Sequence, residues 1–180
     1  MSKAESYQAL ATLLAYPQDR DAMLASIDRV ASYLESREIP SPAHPFADLL
    51  RQSTLAELQE DYVATFDFTP ANAPYLGHHL YGDQQKKPAY LIELKQEFAR
   101  FGFSPAGCEL PDHLSVLLAF LAHLCDSGEE QARRRFLEES VLPGLQKLLA
   151  AGADSRSSWR SLFQTAELLI SNDCKEVSPC

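Results

Sequence analysis

Apolar residues recur at helical spacing along almost the whole chain, and no stretch alternates with period two between turn residues. The 11 prolines and 7 glycines fall mainly between these periodic segments. The pattern predicts an all-α fold, a single-domain helical bundle of about seven to nine helices over residues 1–170. The polar stretch 171–180 is predicted to be a disordered tail.

The most apolar predicted helix follows Pro111 and ends near Cys125. Proline suits a first helical turn, because an N–H there has no intrahelical partner. This helix is apolar on almost every side, which is typical of a helix at the centre of a domain. Leu117, in its middle, is therefore predicted to be core. Two further helices are predicted at 129–150, interrupted at Pro143 and Gly144, and at 155–170.

Composition and charge limit the classes of partner. The hydrophobic fraction is 46%, the charged fraction is 23%, and the net charge is −9. These values are ordinary for a soluble globular protein, and no apolar run approaches the roughly 20 residues of a membrane span. An acidic surface repels phosphates, so nucleic acid is excluded and a basic peptide is favoured. The N-terminus does not resemble a secretory signal, and we expect a cytoplasmic protein without direct membrane insertion.

No catalytic or metal-binding signature is present. The sequence lacks GxGxxG, GxxxxGK[ST], HExxH, GxSxG and CxxC patterns. His78 and His79 are adjacent, so on a helix they point about 100° apart and cannot easily share a metal ion. We therefore predict no enzyme, no catalytic residue, no metal and no cofactor. A nucleotide-handling or metal-dependent enzyme, and a thiol redox sensor using Cys174 and Cys180, remain as alternatives.

The stretch 62–121 carries most of the aromatic and acidic residues that could form a site. A groove lined by such residues suits an apolar peptide segment preceded by basic residues. The competing interpretation is that the aromatics are core and the acids are helix caps. The residues alone leave both open. An unpaired buried carboxylate is costly, so Asp112 is expected outside the core.

Residues 133–137 read Arg-Arg-Arg-Phe-Leu, which matches the Arg-Arg-x-Phe-Leu core of a twin-arginine signal. Such signals belong at an N-terminus, whereas this segment lies among glutamates in a predicted helix. We interpret it as a solvated helix face with i,i+4 ion pairs, Glu129 with Arg133 and Glu130 with Arg134.

Three motifs in order carry a family resemblance. Residues 62–67 contain Tyr-x-x-Thr-Phe-Asp, residues 79–83 contain His-x-Tyr-Gly-Asp, and residues 109–114 read Glu-Leu-Pro-Asp-His-Leu. Together they resemble the NarJ/TorD/DmsD family of molybdenum-enzyme maturation chaperones, most closely its nitrate reductase delta-subunit (NarJ) branch. The chain departs from that branch at Ser115, where Pro is frequent, at Ala119, where Glu is common, and at 87–88, where Arg-Gly is usual. These departures leave the identity of the client open.

The resemblance implies a cytoplasmic chaperone in nitrate reductase assembly and nitrate assimilation. Its partner would be the apo catalytic subunit of a nitrate reductase-like molybdenum oxidoreductase, bound through an N-terminal, twin-arginine-type segment until the molybdenum cofactor is inserted. The cofactor-insertion machinery would be a further partner. The aromatics and leucines would bury the apolar part of the peptide, the aspartates would face its basic part, and the histidine would contact peptide carbonyls or tune its neighbouring aspartate. The predicted peptide-binding residues are Tyr62, Phe66, Asp67, Leu76, Tyr81, Asp83, Pro111, Asp112, His113 and Leu117.

Overall fold

The computed structural model describes residues 1–82 and 86–176, and within these ranges it contains helices and no strand. One helical segment over residues 130–151 contains a π-helical turn between two α-helices, so the ten α-helices of the described ranges form nine continuous helical bodies. The all-α, single-domain bundle predicted from the sequence is confirmed. The helices are α1 (Lys3–Leu14), α2 (Arg20–Glu35), α3 (His44–Gln52), α4 (Leu55–Phe66), α5 (Leu76–Tyr81), α6 (Lys86–Arg100), α7 (Leu114–Asp126), α8 (Glu130–Phe136), α9 (Leu142–Ala151) and α10 (Arg160–Glu176).

Helix α7 is the centre of the bundle, as its sequence predicts. Leu117, Leu118 and Leu121 are fully buried, and α7 packs against α1, whose Leu10 and Leu13 are also fully buried. One continuous core cluster draws residues from every helix of the described chain. The burial of α7 therefore holds the bundle together and fixes the position of the segment that precedes it.

Helix α7 begins at Leu114, three residues later than predicted, and Pro111 is not in its first turn. His113 is the N-cap, in an extended conformation, and its ring nitrogen Nδ1 accepts from the Ser115 amide. Residues 112–114 pair with 74–76 instead of continuing the helix: Leu76 N–H donates to the Asp112 carbonyl at 2.9 Å, and Leu114 N–H donates to the Pro74 carbonyl at 2.8 Å. These hydrogen bonds between two segments of the chain satisfy backbone N–H and C=O groups that a helical turn would otherwise pair.

The helix is interrupted by a π turn over Leu137–Val141, before the predicted position, and Pro143 and Gly144 lie in the first turn of α9. Proline has no N–H to donate to the carbonyl four residues earlier, and π turns are one way a helix accommodates such a gap. Gly144 has a separate role in packing, because a Cβ there would lie 2.9 Å from Leu76. The glycine thus lets α5 and α9 approach closely.

The structure differs from two predictions, the disordered tail over 171–180 and the solvated helix face around Arg133. Helix α10 continues to Glu176, so residues 171–176 are not the expected disordered tail; residues 177–180, with Cys180, lie outside the described part of the chain. Asp173 is buried and accepts from Tyr7 Oη at 2.8 Å and from Arg133 Nη2 at 3.0 Å. Arg133 is also buried, and not on a solvated face, because Asp173 and Glu130 neutralise its charge.

Within the described ranges, no helix combines the length and the apolar character that a membrane span needs.

Candidate functional site

The segment just before the second motif meets the third motif where α5 and α7 begin. Besides the backbone pairing of 74–76 with 112–114, the Asp112 carboxylate accepts from Gly77 N–H through Oδ2 at 3.0 Å. A Cβ on residue 77 would lie 2.6 Å from that same oxygen and 3.2 Å from the Tyr90 ring. Only glycine at this position lets the carboxylate reach the backbone of α5.

Asp112 is fully buried, which contradicts the expectation that it lies outside the core. Its burial raises the pKa of the carboxyl group, while the positive charge of Lys87 and the Gly77 hydrogen bond act in the opposite direction. Among the described residues, its second oxygen Oδ1 has no hydrogen-bond partner. The side chain therefore joins two segments of the fold and does not face a peptide.

His113 is fully buried beside it and connects the first motif to the third. Its Nδ1 accepts from the Ser115 amide at 3.2 Å and lies 2.6 Å from the Ser115 hydroxyl. We infer that the ring proton is on Nε2, which donates to Tyr62 Oη at 3.2 Å. Burial lowers the pKa of His113 to about 4, so the imidazole is neutral at neutral pH. Burial also raises the pKa of the Tyr62 hydroxyl, which keeps it protonated.

The aromatic residues of the first motif belong to a packed ring cluster. The Tyr62 ring lies 4.6 Å from Phe66, 5.3 Å from Trp159 and 5.5 Å from Tyr16, measured between centroids. Trp159 Nε1 donates to Asp61 at 2.7 Å, which fixes the indole in the cluster. Of these four rings, only Tyr16 is exposed to any large extent, at 40%. Three rings of the cluster are therefore part of the core, and the cluster reaches solvent through Tyr16.

An acidic and aromatic surface lies directly above these buried residues. Tyr75 Oη donates to Glu109 at 2.9 Å, and its ring packs edge-on against His113 at 4.9 Å. Burial, and then the hydrogen bond and the charge of Glu109, raise the pKa of the Tyr75 hydroxyl. Phe68, which follows Asp67 in the chain, is 78% exposed.

A groove of about 750 Å³ adjoins this surface and is bounded by α1, the start of α2, α7 and the loop at 103–109; we name it the α1–α7 groove. Its floor is made of small and apolar side chains of α1 and α7, and Asp19 and Glu109 lie on its acidic rim. Ser115 and Ala119, two positions at which the chain departs from the branch it resembles, both line it. Its lining includes Tyr16, Asp19, Glu109, Ser115 and Ala119.

The structure divides the ten predicted peptide-binding residues into separate groups. Only Asp67 is exposed; Tyr81 is half-buried against Tyr90 on another face of the molecule, and Asp83 lies outside the described residues. The structure brings Tyr62, Asp112 and His113 together, but as buried residues. The buried members are Tyr62, Phe66, Leu76, Pro111, Asp112, His113 and Leu117.

Sequence reasoning missed several residues at or beside the α1–α7 groove, namely the exposed Tyr16 and Glu109 and the half-buried Tyr75. Glu109 opens the third motif and Tyr75 precedes the second, so their place in the aromatic and acidic stretch was a signal for both. Tyr16 lies outside every motif, and only its position at the end of a helix, before Pro17, marks it. Within the described ranges, no group of three or more His, Cys, Asp or Glu residues is arranged to hold a metal ion.

Comparison with known proteins gives the family. A family model described as "Nitrate reductase delta subunit" matches residues 33–164. The chain is 30% identical over 135 residues to the probable nitrate reductase molybdenum cofactor assembly chaperone NarJ of Bacillus subtilis, covering 74% of this chain and 71% of that protein. It is 28% identical over 174 residues to the chaperone protein TorD of Shewanella sp. strain ANA-3, covering 91% and 74%.

A third relative is the nitrate reductase molybdenum cofactor assembly chaperone NarJ of Escherichia coli K12, which is 27% identical over 132 residues, covering 71% of this chain and 54% of that protein. These relatives are named as chaperones and not as catalysts, which agrees with the prediction of a protein that is not an enzyme. The resemblance seen in the three motifs is confirmed. The chain is similar to the NarJ and TorD chaperones, and it belongs to the nitrate reductase delta subunit family.

Proposed function

We propose that this protein is a maturation chaperone of a molybdenum oxidoreductase. It binds the apo catalytic subunit in the cytoplasm through the N-terminal segment of that subunit, and it releases the subunit after the molybdenum cofactor is inserted. The names of the NarJ and TorD relatives support the chaperone role. The cofactor-insertion machinery remains a predicted second partner.

The observation that carries the binding role is the α1–α7 groove. Its volume of about 750 Å³ is within the range of sites that bury a small ligand or several side chains of a peptide. The apolar floor suits the apolar part of a helical or extended segment. The Asp19 and Glu109 carboxylates on the rim suit basic residues that precede it.

The buried motif residues support this groove from below. His113 bonds both Tyr62 and Ser115, and Ser115 lines the groove. Asp112 holds the start of α5 and so places Tyr75 where its hydroxyl bonds Glu109. We therefore assign Tyr62, Asp112 and His113 as positioning residues, and the exposed Tyr16, Asp19 and Glu109 as contacts.

The partial burial of Cys125 and Cys174 does not favour a thiol redox sensor. Burial raises the pKa of the Cys174 thiol, and it does the same for Cys125. Because the thiolate is the reactive form, a raised pKa makes both groups slower to oxidise.

A charge placed on the groove floor tests the proposal. The variant Ala119→Arg puts a bulky cation between α1 and α7, where it opposes a basic segment, and the control Ala99→Arg makes the same change on an exposed position of α6. An affinity-tagged chain is expressed in its own host during anaerobic growth, and its partners are identified by mass spectrometry. Circular dichroism melting first establishes that both variants are folded.

We expect wild type and Ala99→Arg to recover a molybdenum-oxidoreductase catalytic subunit, and Ala119→Arg to lose it. Recovery of that subunit by Ala119→Arg would remove the groove from the binding site. Failure of wild type to recover any such subunit would overturn the chaperone role itself.

A further inference from the structure

One carboxylate oxygen in the core lacks a hydrogen-bond partner. Asp112 is fully buried, and its Oδ2 accepts from Gly77 N–H at 3.0 Å, but its Oδ1 has no partner among the described residues. An ionised oxygen that is buried without a partner destabilises a fold. Two arrangements remove this cost: the carboxyl group is protonated, or a cation of this chain supplies the missing partner.

Lys87 lies on the buried face of α6. Counted from Lys87, the buried residues of this helix stand at i+3, i+7 and i+11, which is one helical stripe; they are Tyr90, Leu94 and Phe98. Lys87 itself is half-buried, whereas its neighbour Lys86 is exposed. The first turn of α6 therefore places one of its two lysines towards the core and the other towards solvent.

Tyr90 locates the Asp112 carboxyl group relative to that face. The Tyr90 ring and Asp112 Oδ2 both lie within 3.2 Å of the point that a Cβ of residue 77 would occupy. A helical side chain covers the turn that precedes its own Cα, so the Tyr90 ring lies over the turn that carries Lys87. Burial raises the pKa of Asp112, and the charge of Lys87 is the strongest influence in the opposite direction.

We propose that Lys87 is a further positioning residue, whose ammonium group pairs with Asp112 Oδ1 and so holds the start of α5 against α7. The flexible four-carbon stem of lysine lets the ammonium group turn to an acceptor that no hydrogen bond of the structure uses. The pair keeps Asp112 ionised, with its Oδ2 on Gly77 N–H. The pairing is independent of the proposed function, and only its value for binding at the rim of the α1–α7 groove rests on that function.

A double-mutant cycle separates this pair from a protonated carboxyl group. The variants are Lys87→Met, Asp112→Asn and both together, and urea unfolding of the full chain at pH 7 is the measurement. Lys86→Met is the matched control, because it removes the same charge one residue away at an exposed position. Lys87→Arg keeps a cation at the position and is the conservative variant.

We expect Lys87→Met to lower the folding equilibrium constant roughly 10-fold, because a buried carboxylate loses its charged donor. The same change in the Asp112→Asn chain should lower that constant less than about twofold, because no carboxylate is left to pair. Lys86→Met and Lys87→Arg should also stay within about twofold of wild type.

The ionisation of Asp112 gives a second readout, which a change in packing alone would not move. The Gly77 amide resonance of the ¹⁵N-labelled chain follows this ionisation, since its N–H donates to Oδ2. The other titratable groups that interact with the carboxyl group are His78, Tyr75 and Tyr90. All three are present in every lysine variant, so their effects cancel when the variants are compared.

Removal of the cation should raise the pKa of Asp112 in Lys87→Met and leave it unchanged in Lys86→Met and Lys87→Arg. The stability lost in Lys87→Met should return as the pH falls through that raised pKa, because a protonated carboxyl group needs no counter-charge. This measurement uses the lysine variants alone and stands even if Asp112→Asn does not fold.

Three results would overturn the proposal. The first is an equal effect of Lys87→Met with and without Asp112→Asn, since the two side chains would then be uncoupled. The second is an equal loss in Lys86→Met, which would reduce the effect to net charge. The third is a Gly77 titration that is the same in wild type and Lys87→Met, or that shows a protonated Asp112 in wild type at pH 7.

Discussion

The His113 imidazole and the Tyr62 hydroxyl form a buried hydrogen bond of 3.2 Å between residues 51 apart in the chain. It joins α4 to the N-cap of α7 and thus the first motif to the third. In Tyr62→Phe, the Nε2–H of His113 loses its acceptor while the ring cluster is kept. Leaving a buried donor unsatisfied costs about 1–3 kcal/mol of the free energy of unfolding.

Urea denaturation of Tyr62→Phe measures this loss. Tyr16→Phe is the matched control, because Tyr16 packs on Tyr62 but is 40% exposed, and its change should be within about 0.5 kcal/mol. Equal stability of the two variants would mean that the hydrogen bond contributes nothing to the fold.

The neutral state of His113 gives a pH dependence with a definite sign. Its pKa is lowered to about 4 in the folded chain, by burial, and is about 6.5 in the unfolded chain. Between these values the unfolded state binds more protons, so stability falls as the pH drops from about 6.5 towards 4. The slope from this residue is at most about 1.4 kcal/mol per pH unit.

His113→Gln removes the titrating group, and comparison of the two pH profiles isolates its part from that of His79, whose pKa burial also lowers. Urea midpoints measured from pH 7.5 to 4.5 should fall less steeply in the variant than in wild type. Parallel profiles would show that the pKa of His113 is the same in the folded and unfolded chain, and that burial does not lower it.

Leu117 tests the central position of α7. It is fully buried, so Leu117→Ala should lower the free energy of unfolding by about 2–5 kcal/mol, through lost burial and a cavity. Leu168→Ala, at a residue that is 39% exposed on α10, is the control and should cost much less. If the two variants were equally stable in guanidinium, α7 would not be the centre of the core.

Gly77, just before the second motif, is in close contact with Asp112 of the third motif. In Gly77→Ala the new Cβ would lie 2.6 Å from Asp112 Oδ2, and such overpacking costs about 1–3 kcal/mol. The cost should be smaller in an Asp112→Ala background, because the obstructing oxygen is then absent. A double-mutant cycle of urea midpoints measures this coupling, and strictly additive effects would contradict the contact.

Local patterns were enough to predict some of this structure. The apolar periodicity of α7 predicts its burial, which is confirmed. The capping box that begins α4 is formed by Thr54 and Glu57, which stand in the Thr-x-x-Glu pattern typical of a helix start. Both signals lie within a few residues of the feature they predict. The fold class follows from such signals because nearly every element is helical.

The charged and site residues could not be predicted in the same way. Asp112 is buried because Gly77, 35 residues away, presents a backbone N–H to it, and Arg133 is buried because Asp173, 40 residues away, neutralises it. Nothing in the sequence near either residue indicates these partners. Asp112 and His113 of the third motif are buried, and of the exposed residues that we propose as contacts only Glu109 belongs to a motif.

The acidic rim of the α1–α7 groove should control how fast a basic segment associates. Asp19→Asn with Glu109→Gln removes both charges conservatively, since Asn still caps α2 and Gln still accepts from Tyr75. The probe is a synthetic peptide of the N-terminal segment of the molybdenum-oxidoreductase subunit recovered with wild type. Charge complementarity acts mainly on the association rate, so we expect that rate to fall several-fold with little change in dissociation.

Stopped-flow measurements over a salt series separate this effect from a change in fit. Wild-type association should slow as salt screens the rim, and the double variant should show a flatter dependence. Glu35→Gln with Glu60→Gln carries the same net charge and should keep the wild-type salt dependence. If that control lost it equally, the overall charge of −9 and not the rim would steer the peptide; if the wild-type rate were independent of salt, the electrostatic role of Asp19 and Glu109 would be wrong.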